Sequence, residues 1–225
     1  MSASTANLSL TTVLARFRQV RAATLAFTAA KVGNLNLAGA TGSVLERSLV
    51  GLRNLIDRSL AEVRITAGPI AQRRAFSAAQ FVTEVRHSAT LESETHGCVF
   101  VVSAVDPLLA IEGDWDLLFS AVGNLLQNAF KFTHPHTEVT LDVYAVGGRI
   151  LMDVKDNCGG LPPGGAENMF LPFVQTGGDR SGLGLGLSIA RRSVEANDGE
   201  LSVRDVPSVG CIFTISLARH AMSGR

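Results

Sequence analysis

The sequence predicts an α+β chain: an N-terminal helical hairpin followed by an α/β sandwich. Three observations predict it. Two long stretches before residue 67 carry apolar residues at helical spacing, separated by a glycine- and asparagine-rich break. After residue 77, helical stretches alternate with short β-branched or period-two stretches, the pattern of a mixed sheet with helices on one face. Glycine and proline are dense between residues 157 and 181, which reads as a long loop.

The first helix covers 9–31, with Leu10, Val13, Leu14, Phe17, Val20, Thr24, Leu25 and Phe27 on one broad stripe. "VGNLNLAGATG" (32–42) breaks it. The second covers 43–66, where Leu45, Leu49, Leu52, Ile56, Leu60 and Val63 recur at steps of three or four. Arg53–Asp57 and Arg58–Glu62 are i,i+4 pairs on its outer face. A lone hairpin cannot cover its stripe, so two copies are expected to pair as a four-helix bundle. "TAGPIAQRR" (66–74) reads as a linker.

The second part begins with a helical or mixed stretch, 77–94, anchored by Phe81, Val82 and Val85. "CVFVVSA" (98–104) is a β-branched strand. Residues 114–131 form a helix with Asp114 as its N-cap. "EVTLDVYAV" (138–146) alternates as a half-buried strand, Gly147–Gly148 is a hairpin turn, and "RILMDVKD" (149–156) is the return strand. A helix covers 185–196. "ELSVRDV" (200–206) and "CIFTISL" (211–217) form a last hairpin around Pro207–Gly210.

Composition narrows the function. The chain has 225 residues, 46% hydrophobic and 18% charged, enough for a sizeable core in one large or two small domains. A formal net charge of zero argues against non-specific nucleic-acid or membrane-surface binding, both of which need a basic excess. There is no apolar run long enough for a transmembrane helix and no signal-peptide pattern in MSASTANLSL. Cys98, Cys158 and Cys211 are odd in number and lack CxxC spacing, which suits free thiols in a reducing cytoplasm. The expected location is therefore cytoplasmic.

Four local clusters carry chemistry. In "NLLQNAFKFT" (124–133), Asn124, Asn128 and Lys131 share one helix face. Two amides and an ammonium there suit a magnesium-bound polyphosphate, with Asn128 offering a hard oxygen to Mg2+ and Lys131 a point charge to phosphate. In "DNCGGLPPG" (156–164) a carboxylate at a strand end, followed by glycines, can accept an exocyclic amine while the backbone turns around a base. "MFLPFVQ" (169–175) places Phe170 and Phe173 either as core plugs or as the hinge of a lid. "RSGLGLGLSIARR" (180–192) sets Gly182, Gly184 and Gly186 at the start of a helix, where backbone N–H groups can meet phosphate. Taken singly, each cluster has a plainer reading: a solvated helix face, an ordinary turn, core packing, a tight turn.

Together and in this order, the four clusters resemble the N, G1, F and G2 boxes of bacterial sensor histidine kinases, whose ATP-binding domain is of the GHKL type shared with DNA gyrase. The resemblance covers about residues 77–219. It implies ATP and Mg2+ as ligands. Asn124, Asn128 and Lys131 fall on the N box, with Asn128 on Mg2+ and Lys131 on phosphate. Asp156 falls on the adenine-reading aspartate and Gly160 on the second G1 glycine. Phe170 and Phe173 fall on the F box. Gly182, Leu183, Gly184, Leu185 and Gly186 fall on G2, at the phosphate end of a lid spanning about 162–181. The first G1 glycine is replaced by Cys158.

By the same resemblance, residues 1–68 are a dimerisation hairpin, giving a homodimer that meets a response regulator or a partner kinase. Here the departure is larger. No histidine precedes His87 and no acidic residue precedes Glu46, so the family's phosphoacceptor histidine and its acidic neighbour are both missing from the first helix. Ordinary autophosphorylation there is not expected, and no catalytic residue is assigned. Two readings stand. One is a histidine-kinase-like protein that binds Mg-ATP and transfers phosphoryl in trans. The other is a non-catalytic dimeric pseudokinase that docks a regulator or another kinase. A phosphotransfer protein ranks last, because such proteins keep the histidine and lose the ATP motifs, the reverse of this chain.

Overall fold

A computed structural model describes residues 73–161, 164–174 and 184–220. The helical hairpin expected over 9–66 and its homodimer bundle lie outside the described residues, as do Gly182, Leu183 and residues 162–163 and 175–181 of the expected lid. Within the described part the element order is β1 (Arg74–Ser77), α1 (Ala78–His96), β2 (Val99–Val102), β3 (Ala110–Gly113), α2 (Trp115–Phe132), β4 (Glu138–Val146), β5 (Arg149–Lys155), α3 (Gly165–Asn168), α4 (Gly186–Glu195), β6 (Glu200–Val206) and β7 (Gly210–His220).

The strands form one mixed sheet in the order β1-β3-β7-β5-β4-β2, with β6 also on β7. Only β2 and β4 run parallel. β7 is central. β5 pairs with it from Ile212 to Ala218, β6 from Gly210 to Ser216, and β3 at its last two residues. Alternation decides which face is covered. Val139, Leu141 and Val143 of β4, Ile150, Met152 and Val154 of β5, and Cys211, Phe213, Ile215 and Leu217 of β7 are buried. They share one core with the apolar faces of the helices. The opposite face is polar, and several of its side chains bond one another. Tyr144 Oη donates to Asp153 at 2.9 Å, Thr214 Oγ1 donates to Asp153 at 2.7 Å, and Arg149 donates to Ser216.

Each long helix is capped and striped as its sequence dictates. In α1, the Ser77 hydroxyl accepts from Gln80 N, and Gly97 ends the helix at φ +67°. Phe81, Val82, Val85 and Ala89 face inward. In α2, Asp114 Oδ1 accepts from Asp116 N and Leu117 N at 3.0 and 3.2 Å, so the expected N-cap is present. Trp115, at the start of α2, packs edge-on to Phe76 and Phe81 and ties β1, α1 and α2 together.

Four expectations need correction. The linker does not run to residue 74, because Arg74 already pairs with Gly113 in β1–β3. The sandwich thus starts before residue 77. Neither β1 nor β3 is anticipated, since RAFS and AIEG are four residues each and too short to show a period. The 157–181 loop contains the one-turn helix α3. The final strand runs on to His220 because β3 extends its pairing. Among the described residues, no helix is long and apolar enough to cross a membrane.

Candidate functional site

The site is assembled at the end of the sheet where β5 leaves for the loop and β7 begins. Asp156, the first residue after β5, is 5% exposed. Its N–H donates to Cys211 O at 3.0 Å. Its Oδ1 accepts from Cys211 N at 2.9 Å and from Cys158 N at 3.1 Å. The carboxylate is therefore oriented by two main-chain donors, one from the loop and one from β7. Gly210 makes that approach possible. A Cβ built there would lie 2.0 Å from Asp156 O, so only glycine lets the two backbones meet.

The loop after Asp156 is held by α2 and β6. Asn157 N donates to Thr133 Oγ1 at 3.0 Å, and His134 N donates to Asn157 O at 3.2 Å. Leu161 N donates to the Asp205 carboxylate at 2.8 Å. Gly159 and Gly160 adopt φ +88° and +100°, a region that side-chain-bearing residues rarely enter. The end of α2 and the loop are thus one connected unit.

Asn124, Asn128 and Lys131 are all half-buried on α2. Asn124 Nδ2 donates to Ser120 O at 2.8 Å, so its amide hydrogen is turned back on its own helix. Lys131 Nζ lies 5.0 Å from the centre of the Phe132 ring. The two phenylalanines part company. Phe170 is buried, edge-on to Phe213, with the Arg191 guanidinium 4.3 Å above its ring. Phe173 is 72% exposed at φ +65°, and its N–H donates to Gly184 O at 3.0 Å. The core-plug reading therefore holds for Phe170 and fails for Phe173. Gly184 has φ +65°, Leu185 packs on Leu117 and Ile189, and Gly186 opens α4. Gly182 and Leu183 lie outside the described residues.

The structure thus brings the clusters together pairwise. α2 meets the Asp156 loop through Thr133 and His134, the loop meets β7 through Cys211, and the 170–173 segment meets β7, α4 and Gly184. Sequence reading missed Thr133, Gly210, Cys211, Asp205 and Arg191. No local signal marks them, because their roles depend on which strand ends lie side by side.

Two sulfurs join this site. Cys158 Sγ lies 3.4 Å from Cys211 Sγ, and with an Asp156 carboxylate oxygen they fall within 4.8 Å of one another. Burial and the neighbouring Asp156 push the Cys158 thiol above its ordinary value, and burial and Cys158 push the Cys211 thiol far above it. His87, His96, His134 and His136 are exposed, and His220 is half-buried with Nδ1 3.1 Å from Glu112.

Residues 113–221 match the family of histidine kinase-, DNA gyrase B- and HSP90-like ATPases. The chain is similar to the sensor protein KdpD of Escherichia coli (strain K12), 32% identical over 121 residues, 53% of this chain and 14% of that protein. It is also similar to the sensor protein TorS of the same strain, 38% identical over 114 residues, 51% of this chain and 12% of that protein. The matched parts are thus a small share of those relatives' length. Among solved structures, full-length ShkA in complex with AMPPNP superposes with a TM-score of 0.65 at 25% identity, covering 96% of this chain and 47% of that one. A mycobacterial sensor histidine kinase, MprB, superposes with a TM-score of 0.56 at 26% identity, covering 67% and 99%. With the sheet order, the oriented Asp156 and the glycine-led α4 in place, residues 113–221 belong to the histidine kinase-, DNA gyrase B- and HSP90-like ATPase family, as an ATP-binding domain of the histidine-kinase type typical of two-component signalling.

Proposed function

We propose that this domain binds Mg-ATP, with Asp156 accepting the adenine amine. The observation that carries this reading is the carboxylate itself: nearly buried, fixed through Oδ1 by Cys158 N and Cys211 N, and placed at a strand end beside a glycine loop. That leaves Oδ2 as the oxygen to face the base. Asn124 and Asn128 line the α2 face toward the triphosphate, Asn128 supplies an oxygen to magnesium, and Lys131 opposes phosphate charge. Gly160 lets the loop pass close to the base. Phe170 anchors the 170–173 segment on the core, and Phe173 rides at the base of the lid. Gly182, Leu183, Gly184, Leu185 and Gly186 form the phosphate end, where the N-terminus of α4 favours negative charge. Magnesium would neutralise charge on the triphosphate. The ShkA structure was solved in complex with AMPPNP, which supports a nucleotide ligand for a chain of this fold.

The chain's role in signalling extends the same proposal. Residues 1–68 pair two copies, the domain from about 77 to 219 holds nucleotide, and a response regulator or partner kinase docks on the dimer. Phosphoryl transfer depends on positioning and charge neutralisation, but the first predicted helix offers no histidine. Transfer therefore goes to a histidine on another protein, or the dimer acts without turnover as a scaffold. The missing histidine is what keeps the second reading in play.

Calorimetric titration with Mg-ATP tests the site. Asp156→Asn keeps an oxygen for the two N–H donors but turns a donor toward the adenine amine. Affinity should fall at least about tenfold, the loss of one charge-assisted hydrogen bond. Asn128→Ala should weaken the magnesium-dependent part of binding. Unchanged affinity in both variants refutes the assignment. Incubation with γ-labelled ATP should leave the chain itself unlabelled, and acid-labile label on it would overturn transfer in trans.

A further inference from the structure

We propose that Cys158 and Cys211 are a reversible dithiol–disulfide pair, and that closing the bond lowers nucleotide affinity. The two residues are 53 apart in sequence, yet their sulfurs lie 3.4 Å apart where the loop meets β7. They are the same two residues whose main-chain N–H groups hold Asp156 Oδ1. Any change in their separation is felt directly by the carboxylate.

A disulfide needs the sulfurs at about 2.0 Å, so the pair must close by more than an ångström. The strand side cannot yield. Gly210 and Asp156 already touch backbone to backbone, with 2.0 Å to a built Cβ, and Cys211 is 2% exposed in the core. The loop side is the less confined. Its flanks are tied through Asn157, Gly159 and Leu161, but Cys158 itself is half-buried where Cys211 is in the core. Closure therefore draws Cys158 toward β7, shifts one of the two donors on Oδ1 and turns the carboxylate. The effect on ATP rests on the reading of Asp156 given above, whereas the bond itself does not.

The oxidant is a low-molecular-weight disulfide. The Cys158 sulfur, as thiolate, attacks one of its sulfurs. The small disulfide bond breaks, a mixed disulfide forms, and one small thiol leaves with the proton Cys158 gave up. Cys211, deprotonated in turn, attacks the Cys158 sulfur and releases the second small thiol with its proton. Two protein thiols lose two electrons, and one small disulfide becomes two thiols. Burial keeps both protein thiols protonated near neutrality, so the exchange is slow and responds to sustained rather than momentary oxidation. A metal ion is the lesser reading, because the cluster offers three donor residues among the described residues and Asp156 Oδ1 is already committed to two N–H groups.

The test treats the full chain, stripped of metal with EDTA, with oxidised glutathione and then with dithiothreitol. Thiols are counted by alkylation in denaturant and by intact mass, and Mg-ATP affinity is measured in each state. The proposal expects three reactive thiols to become one (Cys98), a mass loss of two hydrogens, a cross-linked peptide pair containing Cys158 and Cys211, and affinity about tenfold weaker, all reversed by reductant. Cys158→Ser, on the loop rather than in the core, should show no redox response of affinity. Three thiols still reactive, or a stable glutathione adduct alone, overturns the bond. A bond without a change in affinity overturns its regulatory role. A reduced wild-type chain that binds no ATP overturns the nucleotide reading, while the thiol count still decides the bond.

Discussion

Replacing Gly210 with alanine should damage this domain more than any other single methyl group added to a glycine of the sheet or α2. The new Cβ would sit 2.0 Å from Asp156 O and 2.7 Å from its carbonyl carbon, where real Cβ contacts essentially never fall below 3.0 Å. The obstacle is backbone, so no rotamer relieves it. The two chains must part by at least 1.0 Å, the step from 2.0 to 3.0 Å. That stretches Asp156 N to Cys211 O, now 3.0 Å, and Cys211 N to Asp156 Oδ1, now 2.9 Å, beyond hydrogen-bond range. Losing one neutral and one charge-assisted bond costs about 2–4.5 kcal/mol. The assay is urea unfolding followed by the fluorescence of Trp115, the chain's single tryptophan, which is packed between Phe76 and Phe81 and so reports this domain. With a slope of about 2 kcal/mol per molar urea, the middle of the usual range, the midpoint should fall by roughly 1–2 M. Gly123→Ala on α2 is the control. Nothing lies within 4 Å of its added Cβ, and alanine favours a helix by about 0.5–1 kcal/mol. A Gly210→Ala midpoint equal to wild type would refute the reading of this contact as the reason for the glycine.

Three further predictions follow from the same geometry. Phe170→Ala should destabilise the domain by about 3–5 kcal/mol because it empties a core position, whereas Phe173→Ala, 72% exposed, should stay within about 0.5 kcal/mol; thermal melts of the pair decide it, and equal losses would contradict the split. Burial alone would raise the Asp142 carboxyl, but the Lys155 ammonium and Ser103 hydroxyl outweigh it and hold it below the usual carboxylate range; its contribution is present above the unfolded value and lost as pH falls through the folded one, so the stability gap between wild type and Asp142→Asn should shrink on titration from pH 6 toward acid. Because burial pushes the Cys158 thiol up, its thiolate fraction and its oxidation rate should climb about tenfold per pH unit from pH 7 to 9; a flat rate profile would contradict a buried, protonated nucleophile.

What was legible in the sequence is what local periodicity encodes. The α2 stripe and its Asp114 cap, the β4–β5 hairpin at Gly147–Gly148, and the glycine-led start of α4 all lie where residue spacing puts them. β1 and β3 escape because four residues cannot display alternation, and each is a strand only through its partner. The four clusters were legible as types and in order. Their junctions were not. Cys211 meets Asp156 only because β5 and β7 pair in a register that sets Lys155 against Ile212, and nothing within either segment encodes that register. Phe170 and Phe173 show the same limit, being alike in sequence and opposite in burial. In sequence Cys158 shows only as a cysteine in place of a glycine; the fold alone sets it against a second thiol.

The most direct test of the central claim is a calorimetric comparison of ATP and GTP, each with magnesium, on the wild-type chain. A carboxylate that accepts the adenine amine faces a carbonyl oxygen in guanine, acceptor against acceptor, which forfeits the bond and adds repulsion. The account predicts saturable binding of ATP and at least about a tenfold weaker response to GTP. Equal affinity for the two, or no binding of ATP at all, would contradict it.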